Sequence, residues 1–264
     1  MNVLFLGDIF ANTGKRIVAQ CVPELVEQHH IDICVANAEN IAGGRGITHN
    51  LLKKLRKFGI HIITGGNHSL SAVDSYKDYT EDPYLLRPHN MPPGNIGKGT
   101  AVYTLSDGRS LGVINLQGRT FFHEQYDCPF RIGLSAVEHM REITKNIIID
   151  FHAEATSEKK AFAWYVDGKA SAILGTHTHV QTADETISPA GTAFITDVGM
   201  NGPGDSVIGM QKEQVLKRFL LQSSIRYEPA TGMPQLNAVV LTINDTTGKA
   251  ESIKRIFEAV TFHD

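Results

Sequence analysis

Val3-Leu4-Phe5-Leu6-Gly7-Asp8-Ile9-Phe10 opens the chain with four consecutive apolar residues that stop at a glycine and then an acid. An apolar run of that length bounded by a turn signal reads as a buried strand, and the helical periodicity from about Gly14 to Gln28, with Asn12 or Thr13 as N-cap, supplies the next element. The unit then repeats. Ile31–Ala36 is strand-like, Thr48–Lys57 is helical with Thr48 at its N-cap and Gly59 as its stop, and Ile60–Thr64 is strand-like again. Alternating β and α segments with fully apolar strands predict an α/β fold with a parallel sheet covered on both faces.

Further strands are expected at Thr100–Leu105, Leu111–Leu116, Asn146–Phe151, Ala170–Leu174, Thr192–Thr196, Leu236–Ile243 and Ala250–Ile256. The last two flank the turn-rich Asn244–Lys249, so an antiparallel pair makes the sheet mixed. From about Ser69 to Gly99 the chain turns polar and aromatic, with Pro83, Pro88, Pro92 and Pro93, which predicts a cap excursion within a single domain spanning 1–264.

At 264 residues and 42% hydrophobic content the chain is long enough to bury a sizeable core. Three cysteines, Cys21, Cys34 and Cys128, show no paired spacing, which predicts neither a disulfide framework nor a thiolate zinc site and fits a reducing cytoplasm. No stretch approaches the roughly 18 apolar residues of a membrane span, and no signal peptide precedes the first strand. A formal charge of -3 with intermixed signs leaves no basic footprint for duplex nucleic acid, while small anionic substrates remain open.

The unusual polar residues fall in one kind of place. Asp8 follows the first strand, Glu39 and Asn40 the second, Asn67 and His68 the third, His152 the run Ile147–Phe151, and His177 and His179 the run ending at Gly175. Alone, Asp8 reads first as a turn or cap residue, and Glu39-Asn40, Asn67-His68 and His152 read either way, whereas His177 and His179, two apart at a strand end, can bind adjacent ions; together they mark the crevice outside the carboxyl ends of the strands, where α/β sheets bind ligands. Carboxylate, amide oxygen and imidazole form a donor set suited to manganese, iron or zinc, less to magnesium. Seven donors exceed one tetrahedral zinc and match two ions, the arrangement used to hydrolyse phosphate esters. The other histidines, His29, His30, His49, His61, His89, His123, His139 and His263, lack this placement and are expected to be solvated or structural.

These residues resemble the calcineurin-like metallophosphoesterases, and most closely their YmdB-type branch, through FLGDIF, ANAENIAGGRGIT, TGGNH, INLQGRTF, IDFHAEATSEK, GTHTHVQTAD and TDVGMNGP, blocks spanning about residues 1–258. The chain departs from the wider superfamily where Phe10 replaces the histidine of Asp-x-His and where Glu39-Asn40 stands for Gly-Asp. The resemblance implies a four-layer αββα sandwich with mixed sheets and a small cap. It also implies one ion on Asp8, Glu39, Asn40 and His179, another on Glu39, Asn67, His152 and His177, and Glu39 bridging them. The ions would be iron first, manganese second. It further implies a homo-oligomer and hydrolysis of phosphodiesters such as 2',3'-cyclic nucleotides or cyclic AMP. His68 would be the general acid toward the leaving alkoxide, and a hydroxide between the ions the nucleophile. A phosphomonoesterase and a non-catalytic metal-binding regulator are the alternatives. A dinucleotide site or a P-loop is not, since neither GxGxxG nor GxxxxGK[ST] occurs.

Overall fold

The computed structural model describes residues 1–262, so His263 lies outside the described residues. Its strands are β1 (Asn2–Leu6), β2 (Asp8–Ile9), β3 (Ile33–Asn37), β4 (Ile62–Thr64), β5 (Thr100–Thr104), β6 (Ser110–Gln117), β7 (Ile147–His152), β8 (Ala172–Thr176), β9 (Thr186–Ile187), β10 (Ala193–Ile195), β11 (Met200–Pro203), β12 (Pro234–Ile243) and β13 (Ala250–Ala259). Its helices are α1 (Ala11–Gln28), α2 (His49–Lys57), α3 (Tyr76–Glu81), α4 (Pro129–Arg141), α5 (Thr156–Tyr165) and α6 (Lys212–Leu221).

The strands divide between two sheets where periodicity alone predicts one. The first runs β2-β11-β12-β1-β3-β4 with β13 on β12, and the second runs β5-β6-β7-β8-β10-β9. The division follows from the residues. Strands apolar on both faces must be covered twice, and here one covering layer is helical and the other is the second sheet. Leu4, Leu6, Cys34 and Ala36 pack with Ile17, Val18 and Val22 of α1, while the alternate residues Val3, Phe5, Ile33 and Val35 pack with Val113, Ile148, Ala172 and Leu174 of the second sheet. Ile147, Ile149 and Phe151 turn the other way, onto Val137 and Met140 of α4 and Phe162 of α5. The result is the four-layer αββα sandwich, with the mixed pairing expected. β1 runs parallel to β3 and antiparallel to β12, and β12 pairs antiparallel with β13.

One local expectation is corrected. Helix α1 starts at Ala11, earlier than its periodicity suggests, and its N-cap is Phe10, without a side-chain cap bond; Asn12 and Thr13 lie inside the helix. Thr48 does occupy the N-cap of α2, again without a side-chain bond. Residues 69–99 are tied down at several points. Leu85 bridges Ile63 of β4, Leu86 bridges Lys98, Asp78 pairs with His49 at 2.7 Å, and Asn90 bonds both backbone groups of Gln117 at 2.8 and 2.9 Å.

The inter-sheet face changes character along the strands. It is apolar from Val3, Ile33, Leu111, Ile148 and Ala172 onward. At the carboxyl ends its positions become Asn37, Thr64, Asn115, Gln117, Asp150, His152 and Thr176, every one of them buried. Register puts Asn37 beside Thr64, Gln117 beside His152, and His152 beside Thr176. Both sheets thus end in a polar floor on one edge of the sandwich.

Candidate metal centre

All the candidate side chains meet at that edge. The first sheet supplies Asp8, Glu39, Asn40, Asn67 and His68 from beyond β1, β3 and β4; the second supplies His152 at the end of β7 and His177 and His179 beyond β8. Gly66 permits the approach of the two sheets, because a Cβ there would lie 2.1 Å from His152 Cδ2.

The donors form two groups. Around His152 Nε2 stand Glu39 Oε1 at 3.1 Å, Asn67 Oδ1 at 3.1 Å and His177 Nδ1 at 3.0 Å. Around His179 Nε2 stand Asn40 Oδ1 at 3.3 Å and Asp8 Oδ1 at 3.9 Å. Asp8 joins the two halves, since its Oδ2 accepts the His177 backbone N–H at 3.0 Å and its Oδ1 lies 3.9 Å from His152 Nδ1. Both contacts of Glu39 fall on the His152 side, its Oε2 accepting the His68 N–H at 2.8 Å.

These contacts fit cations better than hydrogen bonds. His179 Nδ1 faces the Ile208 carbonyl at 2.9 Å and must carry the proton, so Nε2 of the neutral ring is a lone pair. Asn40 spends its amide nitrogen on the Gly44 carbonyl at 3.1 Å, which turns its oxygen to His179. Two acceptors then face one another. One ring nitrogen, His152 Nε2, cannot satisfy three polar neighbours at hydrogen-bond distance. Asp8 Oδ1 is fully buried with no hydrogen-bond partner among the described residues. Buried polar atoms are otherwise nearly always paired, so a convergence of oxygen and nitrogen donors that leaves one carboxylate oxygen unpartnered is a set that could hold a cation.

Charge reads the same way. Burial raises the Asp8 carboxyl above its ordinary range. Burial would also raise Glu39, but the adjacent His152 imidazole outweighs it and holds the carboxyl at about 2. Burial disfavours a charged His152, yet Glu39, Asp8 and Asp150 together lift it to about 9, whereas burial and then His152 press His177 down to about 2. A buried carboxylate cluster demands positive charge, and the neutral His177 beside it is in the ligand form. Glu39, His152 and His177 offer ligand atoms within 4.8 Å of one another.

The loop holding His177 and His179 is strained. Both residues take left-handed backbone angles, φ 101° and 65°, which cost roughly 1–3 kcal/mol each and persist only where surroundings over-determine them. Those surroundings include two residues that the sequence did not single out. Lys159, fully buried on α5, donates to the Thr176 carbonyl at 2.8 Å and to Asp197 Oδ2 at 2.7 Å, and Asp197 Oδ2 accepts the Thr178 N–H at 3.1 Å. Their signal was available only as a lysine in a helix and an acid after a short strand, neither of which is unusual by itself.

His68 lies at the rim, half-buried, with the Asn67 amide nitrogen 3.4 and 3.3 Å from its two ring nitrogens, an amide lying against the ring. Burial lowers its pKa, and Glu39 counters. The Phe122 ring stands 4.8 Å from that of His177 and forms one wall. Arg119 is exposed and reaches Cys128 Sγ at 3.6 Å, and Lys98 is exposed.

Two mixed sheets ending in one buried carboxylate, amide and imidazole cluster define the metallophosphoesterase class. Residues 4–256 match the model of the YmdB-like protein family, and the chain belongs to that family. It is thereby a phosphoric ester hydrolase whose family implies divalent metal ions. Over 256 residues it is 44% identical to the 2',3'-cyclic-nucleotide 2'-phosphodiesterase of Bacillus subtilis, covering 97% of this chain and 96% of that one. A solved structure described as a novel phosphatase of Mycoplasma pneumoniae superposes with a TM-score of 0.92 at 33% identity, covering 98% of this chain and 93% of that one. A hypothetical protein of Thermus thermophilus gives 0.89 at 37% identity, with 98% and 99% covered. Among the described residues no helix is long and apolar enough to cross a membrane.

Proposed function

We propose that this enzyme is a dinuclear-metal phosphodiesterase acting on cyclic nucleotides, 2',3'-cyclic forms first and cyclic AMP second. The observation that carries the reading is the pair of donor groups centred on His152 and His179, in which carboxylate, amide-oxygen and imidazole-nitrogen atoms converge at 3.0–3.9 Å. The name of the Bacillus subtilis relative supports the substrate class. Asp8, Asn40 and His179 would hold one ion and Asn67, His152 and His177 the other, with Glu39 shared; iron is the first choice and manganese the second.

Bound there, the ions would supply a hydroxide nucleophile at neutral pH and neutralise the phosphoryl oxygens. The chain's own residues do the rest. His68 sits at the rim rather than among the ligand atoms, so it is free to give its proton to the departing ribose oxygen as the P–O bond breaks. Asn67 lies between that ring and His152, which couples the acid's position to the ligand cluster. Phe122 and the fully buried floor beneath His152 exclude water from one side. Residues 69–99, anchored from Ile63 to Gln117, are the proposed cap.

The apolar residues that α6 exposes, Phe219, Leu220 and Leu221, support a homo-oligomer, and the free Cys21 and Cys34 support a reducing cytoplasm. A phosphomonoesterase is the second reading, favoured by the phosphatase description of the Mycoplasma pneumoniae structure. Chelator-stripped protein given manganese should cleave a 2',3'-cyclic nucleotide and leave a phosphomonoester intact. Cleavage of the monoester alone would favour the second reading, and no cleavage with any metal would sink both.

A further inference from the structure

His152 Nδ1, the ring nitrogen turned away from Glu39 and Asn67, lies 2.9 Å from Thr176 Oγ1. That hydroxyl has one hydrogen, and Asp150 Oδ1 takes it at 2.7 Å. Asp150 is fully buried and every other polar group on it is a donor. Thr64 Oγ1 stands at 2.5 Å and Asn37 Nδ2 at 2.9 Å from its Oδ2. Asn37 Nδ2 also approaches His152 Nδ1, at 3.5 Å, but its two hydrogens are committed to Asp150 and to the Gly65 carbonyl at 3.1 Å. Only a lone pair of Thr176 is left for the imidazole. His152 must therefore bring the proton on Nδ1.

We propose that Asp150 and Thr176 are positioning residues that lock His152 in its Nδ1–H form and aim the Nε2 lone pair at the cluster of Glu39, Asn67 and His177. The proposal rests on the metal reading above. Register makes the relay possible: His152 pairs with Thr176 across β7 and β8, and Asp150 lies two residues back on the same inter-sheet face. A hydroxyl is thereby interposed between carboxylate and imidazole where many metal sites bond them directly. Loss of such a partner weakens metal binding by about 10–100-fold.

The test compares Thr176→Val, which keeps the shape and removes the hydroxyl, with Thr176→Ser, which keeps the hydroxyl and removes the methyl. Manganese affinity by equilibrium dialysis should fall about 10–100-fold in the valine variant and stay within about threefold of wild type in the serine variant. Wild-type affinity in the valine variant, or equal weakness in both, overturns the relay. Ring ¹⁵N spectra of metal-free protein at alkaline pH, with His152 assigned by its loss in His152→Gln, read the tautomer directly. Wild type and the serine variant should show Nδ1–H alone, and the valine variant a mixture; a mixture in wild type overturns the proposal. Wild type that binds no manganese would instead sink the metal reading, with the tautomer still deciding the relay.

Discussion

Lys159 and Asp197 form a fully buried ion pair at 2.7 Å whose remaining bonds grip the backbone on either side of His177. Lysine holds the Thr176 carbonyl and aspartate the Thr178 N–H, so the pair fixes a turn that carries one candidate ligand toward each donor group. Removing one partner of a buried pair leaves an uncompensated charge, at a cost of roughly 3–5 kcal/mol. Lys159→Met should lose stability on that scale in urea unfolding of the metal-free protein. A loss below about 1 kcal/mol would mean that the turn holds itself.

Proton donation assigned to His68 predicts a separation of binding from turnover. His68→Ala should keep wild-type metal content, measured by elemental analysis, while kcat on a cyclic nucleotide falls by about 10²–10⁴. Unchanged kcat would remove His68 from the chemistry.

Glu39 touches both His152 and the His68 backbone, which sets a different expectation. Glu39→Ala should lower metal content and rate together, because one carboxylate is the proposed shared donor. Full metal occupancy in that variant would contradict the ligand assignment.

Asp184 fastens the loop after His179 to the end of β10, accepting Thr196 Oγ1–H at 2.5 Å, Thr182 Oγ1–H at 2.7 Å and the Thr196 N–H at 3.0 Å. Burial opposes ionisation, but these bonds and Lys160 hold the carboxyl at about 2, below its ordinary 3.8. A depressed acid stabilises the fold above its unfolded pKa and loses that contribution as pH falls through the folded value. Discounted for a side chain that is 28% exposed, Asp184→Asn should cost roughly 1–2 kcal/mol at pH 7, shrinking toward zero near pH 2. Unfolding midpoints across pH 2–7 check it, and a cost independent of pH would assign the effect to lost hydrogen bonds alone.

Helical and strand periodicity located β1, β3, β4, α1 and α2 and the final antiparallel pair, because each is a local pattern of apolar side chains. It did not resolve α4, α5 or α6, whose apolar stripes are broken by Gly133, Lys159 and an exposed run ending at Leu221. Nor did it separate two sheets, since a strand covered by a helix and a sheet reads the same as one covered by two helices.

The sequence by itself determined the chemistry at the strand ends, a run of oxygen and nitrogen donors after apolar segments, because residue type and position along the chain are enough to state both. Only the tertiary structure decided which donors face one another. Asp8, Glu39 and Asn67 come from one sheet and His152, His177 and His179 from the other, and their distances depend on how two sheets stack rather than on any local pattern. The same holds for Lys159, Asp197, Asp150 and Thr176. Each is ordinary where it stands in the chain, and burial against a partner 17 to 38 residues away gives it a task.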